Sequence, residues 1–93
     1  MNYRLVFTHS YTRRAARFIR RHPELAGQYG KVLRLLEQDP FHPVLRLHKL
    51  KGRLGDLYAG SINIRYQVTL LLLVTEKEIV PVDIGSHDAV YRG

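Results

Sequence analysis

A chain of 93 residues with a net charge of +7 and a pI near 10.1 supports one domain with one modest core, and excludes a deep cofactor cavity plus a second module. The absence of cysteine excludes disulfides, iron–sulfur clusters and cysteine nucleophiles, and argues against zinc. Eleven of the 15 basic residues are arginine, whose bidentate fork suits phosphate, so a phosphate backbone or an acidic protein is the natural partner.

Tyr3, Leu5 and Phe7 alternate with Arg4, Val6 and Thr8, which predicts a first strand. Thr8 or Ser10 can cap a helix over residues 10–21, where Tyr11, Ala15, Phe18 and Ile19 recur at helical spacing. His22-Pro23 ends it, because the residue before proline avoids the α region, and Pro23 can open the next helix. That second helix runs to about Gln38, with Leu25, Tyr29, Val32, Leu33 and Leu36 as its apolar face. Asp39 to Pro43 is a stiff turn. Val44 to Leu50 then alternates as a strand, with Arg46, His48 and Leu50 on one side. Residues 52–55 form a turn. Leu57 to Asn63 is a short strand with a bulge expected at Gly60. Ile64 to Thr75 is long, apolar and central. Glu76-Lys77 is a hairpin turn, and Glu78 to Ile84 is the last strand before a polar tail.

The expected fold is therefore α+β, in the order β-α-α-β-β-β-β. Two N-terminal antiparallel helices pack on a mainly antiparallel sheet within a single domain, residues 1–93. The N-terminus lacks a signal-peptide stretch, and the longest apolar run, Leu70 to Val74, is far below the ~20 residues of a membrane span. A soluble, cytoplasmic protein with no membrane partner is expected.

Charge is uneven along the chain. Residues 1–23 hold six arginines and no acid, and residues 40–55 hold Arg46, Lys49, Lys51 and Arg53 with His42 and His48, again with no acid. Cations at a strand end and turn can converge on one phosphate. The bland alternative is the solvated face of a basic protein. RNA can be cut without a metal, because its ribose 2′-hydroxyl is a built-in nucleophile. Such chemistry needs a base for that hydroxyl, an acid for the leaving 5′-oxygen and cations for the phosphorane between them. Histidine, with an unperturbed pKa of ~6.5, suits both proton transfers. His48 lies beside Lys49 and Lys51, and His87 sits in a polar turn where no core needs an imidazole. His9 and His22 read as capping or solvated residues and His42 as a turn residue. Tyr91 either packs on the domain or stacks on a base.

Four blocks carry a resemblance: Leu47-His48-Lys49-Leu50-Lys51-Gly52, Leu57-Tyr58, Ile64-Arg65-Tyr66-Gln67-Val68, and Asp83-Ile84-Gly85-Ser86-His87-Asp88-Ala89-Val90-Tyr91-Arg92. In this order they resemble the RelE/ParE superfamily of type II toxin–antitoxin toxins, with the closing segment most similar to the YafQ and RelE/StbE branch. The resemblance spans essentially the whole chain. It implies a toxin that is a metal-independent, ribosome-dependent mRNA endoribonuclease needing no cofactor. Its implied partners are the ribosome, mRNA and an acidic cognate antitoxin, with operator DNA reached only through the antitoxin complex. His87 then matches the C-terminal general acid, Tyr91 the aromatic that stacks on or orients substrate, and His48 a base. Lys49, Lys51, Arg53 and Arg65 would hold phosphates.

The chain also departs from the pattern. RelE carries two catalytic lysines on the strand after the shared tyrosine, whereas Tyr58 here is followed by Ala59-Gly60-Ser61. The RelE strand arginine falls at Asn63, or at Arg65 with a shift in register. Two other readings stay open: a ParE-like inhibitor of DNA gyrase acting by binding alone, and a catalytically degenerate member that binds only antitoxin or RNA.

Overall fold

The computed structural model describes residues 2–51 and 57–86. In chain order these form β1 (Arg4–Leu5), α1 (His9–Arg21), α2 (Ala26–Gln38), β2 (His48–Lys49), β3 (Leu57–Ser61), β4 (Tyr66–Leu73) and β5 (Glu78–Ser86). The sheet order is β1-β5-β4-β3-β2. Among the described residues, only the β1–β5 pair is parallel. This is the expected α+β fold.

Thr8 starts α1: its Oγ1 accepts a hydrogen bond from the Tyr11 amide at 3.1 Å. Tyr11, Ala15 and Phe18, spaced at i, i+4 and i+7, are the buried stripe. Arg20 and Arg21 in the last turn complement the helix dipole. Pro23 forces a break at His22, and a 3₁₀ turn over Pro23–Leu25 precedes α2. Val32 and Leu36 of α2 are buried. The two helices close one core on one sheet face, with Val68, Leu70, Ile79 and Ile84 beneath them.

Several boundaries differ from those expected. β1 covers two residues, and Phe7 lies past its end, exposed and stacked on Tyr11. The strand predicted over Val44 to Leu50 shrinks to His48–Lys49. Pro43 starts a 3₁₀ turn over Pro43–Leu45 whose first free amide, on Val44, is capped by His42 Nδ1. Arg46 then turns left-handed at φ 48°, which ends the alternation. β3 is regular through Gly60, which pairs with Val68. The irregularity lies instead between β4 and β5, where Thr69 pairs with Asp83 and Leu70 with Pro81. Pro81 has no amide hydrogen to give a ladder, so a register shift is where a sheet tolerates it. The turn predicted at 52–55 and the tail after Ser86 lie outside the described residues.

β3 and β4 are in register along their length, so alternation assigns their faces. Tyr58, Val68 and Leu70 face the helices. Ala59, Ser61, Gln67 and Thr69 occupy the opposite face. Leu50, Ala59 and Leu57 make a small second cluster there. No helix among the described residues is long and apolar enough to cross a membrane.

Candidate functional site

The site is built where β3 ends and β4 begins. Asn63 shapes that hairpin. Its Oδ1 accepts from the amides of Arg65 at 2.9 Å and Tyr66 at 2.8 Å, a turn that asparagine supports with its own side chain. The turn leaves Ile64 almost fully exposed and sets Arg65 and Tyr66 at the mouth of two adjoining concavities.

The first concavity measures about 240 Å³, and Arg46, His48, Ser61, Arg65, Tyr66 and Gln67 line it. His48 is on the edge strand β2, paired with Ala59. Its Nδ1 lies 2.9 Å from the Arg46 carbonyl. A carbonyl only accepts, so Nδ1 carries the proton, and in the neutral ring Nε2 keeps a lone pair. An imidazole held this way is oriented to take a proton through Nε2. His42 has the opposite arrangement, with Nδ1 accepting from Val44, and is a turn cap.

The second concavity, about 490 Å³, runs between α1 and the end of the sheet. Arg14, Arg17, Arg21 and Arg65 line it, with Asp83 as the acid among its lining residues. Arg14 is engaged. It donates to the Val82 carbonyl at 3.1 Å and lies 3.8 Å from Asp83, holding α1 to the irregular stretch of β5. Arg17 and Arg21 are exposed. His22 packs between Phe18 and Tyr66, with ring centroids 4.6 and 4.7 Å away, so it belongs to an aromatic wall. Arg65 lies 5.9 Å over the Tyr66 ring, within cation–π range.

Of the residues singled out from the sequence, His48 and Arg65 line the same concavity. Lys49 follows His48 on the strand and so points to the opposite face, where it pairs with Tyr58. Lys51 is exposed beyond the strand. Arg53, His87 and Tyr91 lie outside the described residues. Ser86, which precedes His87 in the chain, pairs with Tyr66 at the mouth of the site.

The structure adds residues that the sequence reading did not assign to the site. Arg46 lines it from the left-handed turn that precedes β2. Arg17 and Arg21 reach its neighbour because α1 lies along β5; their cationic cluster was visible in the sequence, but not its destination. Gln67 is 6 % exposed, and its Nε2 has no hydrogen-bond partner among the described residues. The same holds for Thr69 Oγ1 at 2 % exposure. Leaving such a group unpaired costs about 1–3 kcal/mol. No group of three His, Cys, Asp or Glu suited to a metal occurs among the described residues.

No protein-family model matches the sequence, and no curated protein matches it. Solved structures do match in shape. The chain is similar to YafQ from E. coli (TM-score 0.78, 13 % identity, 96 % of this chain and 98 % of that one). It is also similar to a YoeB/ParE toxin from Agrobacterium tumefaciens (0.71, 16 %, 90 % and 98 %). A third match is the toxin–antitoxin complex RelBE2 from Mycobacterium tuberculosis (0.62, 16 %, 94 % and 100 %). At these identities the likeness is one of fold: the chain has the fold of RelE-like toxins.

Proposed function

We propose that this protein is the toxin of a toxin–antitoxin pair and that it cuts mRNA on the ribosome without a metal. The observation that carries the reading is His48. Its Nδ1 is tied to a backbone carbonyl, which leaves Nε2 free beside Arg46 and Arg65. In this reading Nε2 takes the proton from a ribose 2′-hydroxyl, whose oxygen attacks the adjacent phosphorus. Arg46 and Arg65 stabilise the charge on the phosphorane. His87 protonates the departing 5′-oxygen, so the products are a 2′,3′-cyclic phosphate and a 5′-hydroxyl. Tyr91 stacks on or orients a base, and Lys49, Lys51 and Arg53 hold phosphates on either side.

Sheet order sets His48 and the last described residue of β5, Ser86, at the same rim of the sheet, with β2 and β5 three strand spacings apart, about 14 Å. The solved complex that the chain resembles pairs toxin with antitoxin. A net charge of +7 makes the expected antitoxin an acidic chain, and operator DNA would be met only through that complex.

The test expresses wild type, His48→Ala and His87→Ala, and maps mRNA 5′ ends on stalled ribosomes. Wild type should leave new 5′-hydroxyl ends. His87→Ala should abolish both these and toxicity while keeping its fold and its antitoxin. Intact mRNA beside gyrase-dependent DNA breaks would put the ParE-like binding reading in its place. No growth effect without antitoxin would favour a degenerate member.

A further inference from the structure

A third recess, of about 210 Å³, lies beside the His48 concavity and takes no part in the chemistry described above. Arg46, Ser61, Asn63 and Ile64 line both, so the two are continuous. Val32 and Leu35 of α2, with Leu45 and Ile62, give the recess apolar walls, and no acid lines it among the described residues. It is open to solvent: Val44 and Ile64, which also line it, are 56 % and 98 % exposed. Single exposed apolar side chains need no explanation. These two share one recess, and each is held out on a braced turn. His42 Nδ1 accepts from the Val44 amide at 3.2 Å, and Asn63 Oδ1 accepts from the two amides that follow Ile64.

A nucleobase has matching chemistry, with apolar faces and a polar edge. Gln28, Arg46, Ser61 and Asn63 supply polar groups among the apolar walls. Proteins that recognise single-stranded RNA commonly splay its bases out of the stack. In-line attack gives a reason to do so here. The 2′-oxygen, the phosphorus and the departing 5′-oxygen must fall near one line, and a stacked strand holds the 2′-oxygen off it. A nucleotide at the cut therefore leaves the stack, and a pocket that takes its base offsets the cost. We infer that this recess receives the base of a nucleotide adjoining the scissile phosphate, drawn out of the RNA stack and held against Val44 and Ile64. The inference rests on the RNA-cutting reading for its setting. A protein partner fits less well, because a stable one needs about 800 Å² of surface on each side, and this recess has room for one ring system.

The test uses ribosomes stalled on an mRNA whose vacant A-site codon is 2′-O-methylated, so that it cannot be cut. That codon carries the fluorescent base 2-aminopurine at each of its positions in turn. Stacking on other bases or on aromatic side chains quenches this base; among the described residues, no aromatic side chain lines the recess. Wild type should raise the emission several-fold at one position. Val44→Ser and Ile64→Ser, both at exposed positions, should each diminish that rise, with far-UV circular dichroism unchanged and the protein still sedimenting with ribosomes. No rise at any position overturns the assignment, and so does a rise that both variants keep. Variants that keep the rise but lose the antitoxin would give the recess to a protein partner instead. Unmodified mRNA, assayed in parallel, separates the two readings. A rise with that mRNA left intact sinks the nuclease and keeps the recess, whereas cutting without a rise keeps the nuclease and sinks the recess.

Discussion

Tyr11 is almost wholly buried, and its hydroxyl lies 2.8 Å from that of Tyr29, joining the two helices through one polar contact inside an apolar layer. Burial, then the neighbouring Tyr29, pushes the Tyr11 phenol far above its ordinary value, and burial raises Tyr29 as well. A raised folded-state value means the unfolded chain loses these protons first. Their contribution is therefore complete below about pH 10 and declines as pH rises above it. Urea midpoints measured at neutral pH should show Tyr11→Phe less stable by about 1 kcal/mol. Repeated above pH 10, the wild type should lose stability more steeply than the variant; parallel curves would contradict this account. Similar local bonds give the histidines their different roles. His42 Nδ1 accepts from an amide, whereas His48 Nδ1 faces a carbonyl, and nothing in their shared residue type distinguishes the two.

Helix α1 links the core to the basic groove, so its start matters to both. Thr8 supplies the N-cap through Oγ1, and its carbonyl accepts from both the amide and the hydroxyl of Thr12. Thr8→Ala should cost about 1 kcal/mol, seen as a fall in Tm of about 4–8 °C for a domain of this size. At the other end, Arg14 grips Val82 and Asp83 across the shifted register of β5. Periodicity predicted both helices and their apolar stripes, because a helix's inward face is a local property. It failed between Val44 and Leu50, where Pro43 and a left-handed Arg46 override an alternation that the letters alone display. It also placed a bulge at Gly60, but the shift occurs opposite Pro81.

The whole molecule is a cation with a directional surface. Arg17, Arg21 and Arg65 converge on a groove of about 490 Å³ that adjoins the His48 concavity at Arg65 and Tyr66. Each phosphate neutralised on a single strand contributes about −0.7 to the slope of log K against log salt. Replacing Arg17 and Arg21 with alanine should make RNA binding weaker for all sequences and shallower in salt by about 1.4, if each meets one phosphate. An unchanged slope in a salt titration would remove this groove from the RNA path. Charge, the missing cysteines, the order of elements and His48 as a candidate were all legible along the chain, because composition and short-range spacing are local quantities. The sheet order β1-β5-β4-β3-β2 brings the start of β4 to the concavity that holds His48, and the end of β5 to the neighbouring one. Strand parity turns Lys49 away from the imidazole, and packing leaves the Gln67 amide unpaired. Those outcomes depend on register between segments far apart in the chain, where a shift of one residue exchanges the faces of a strand. Only the assembled sheet could decide them.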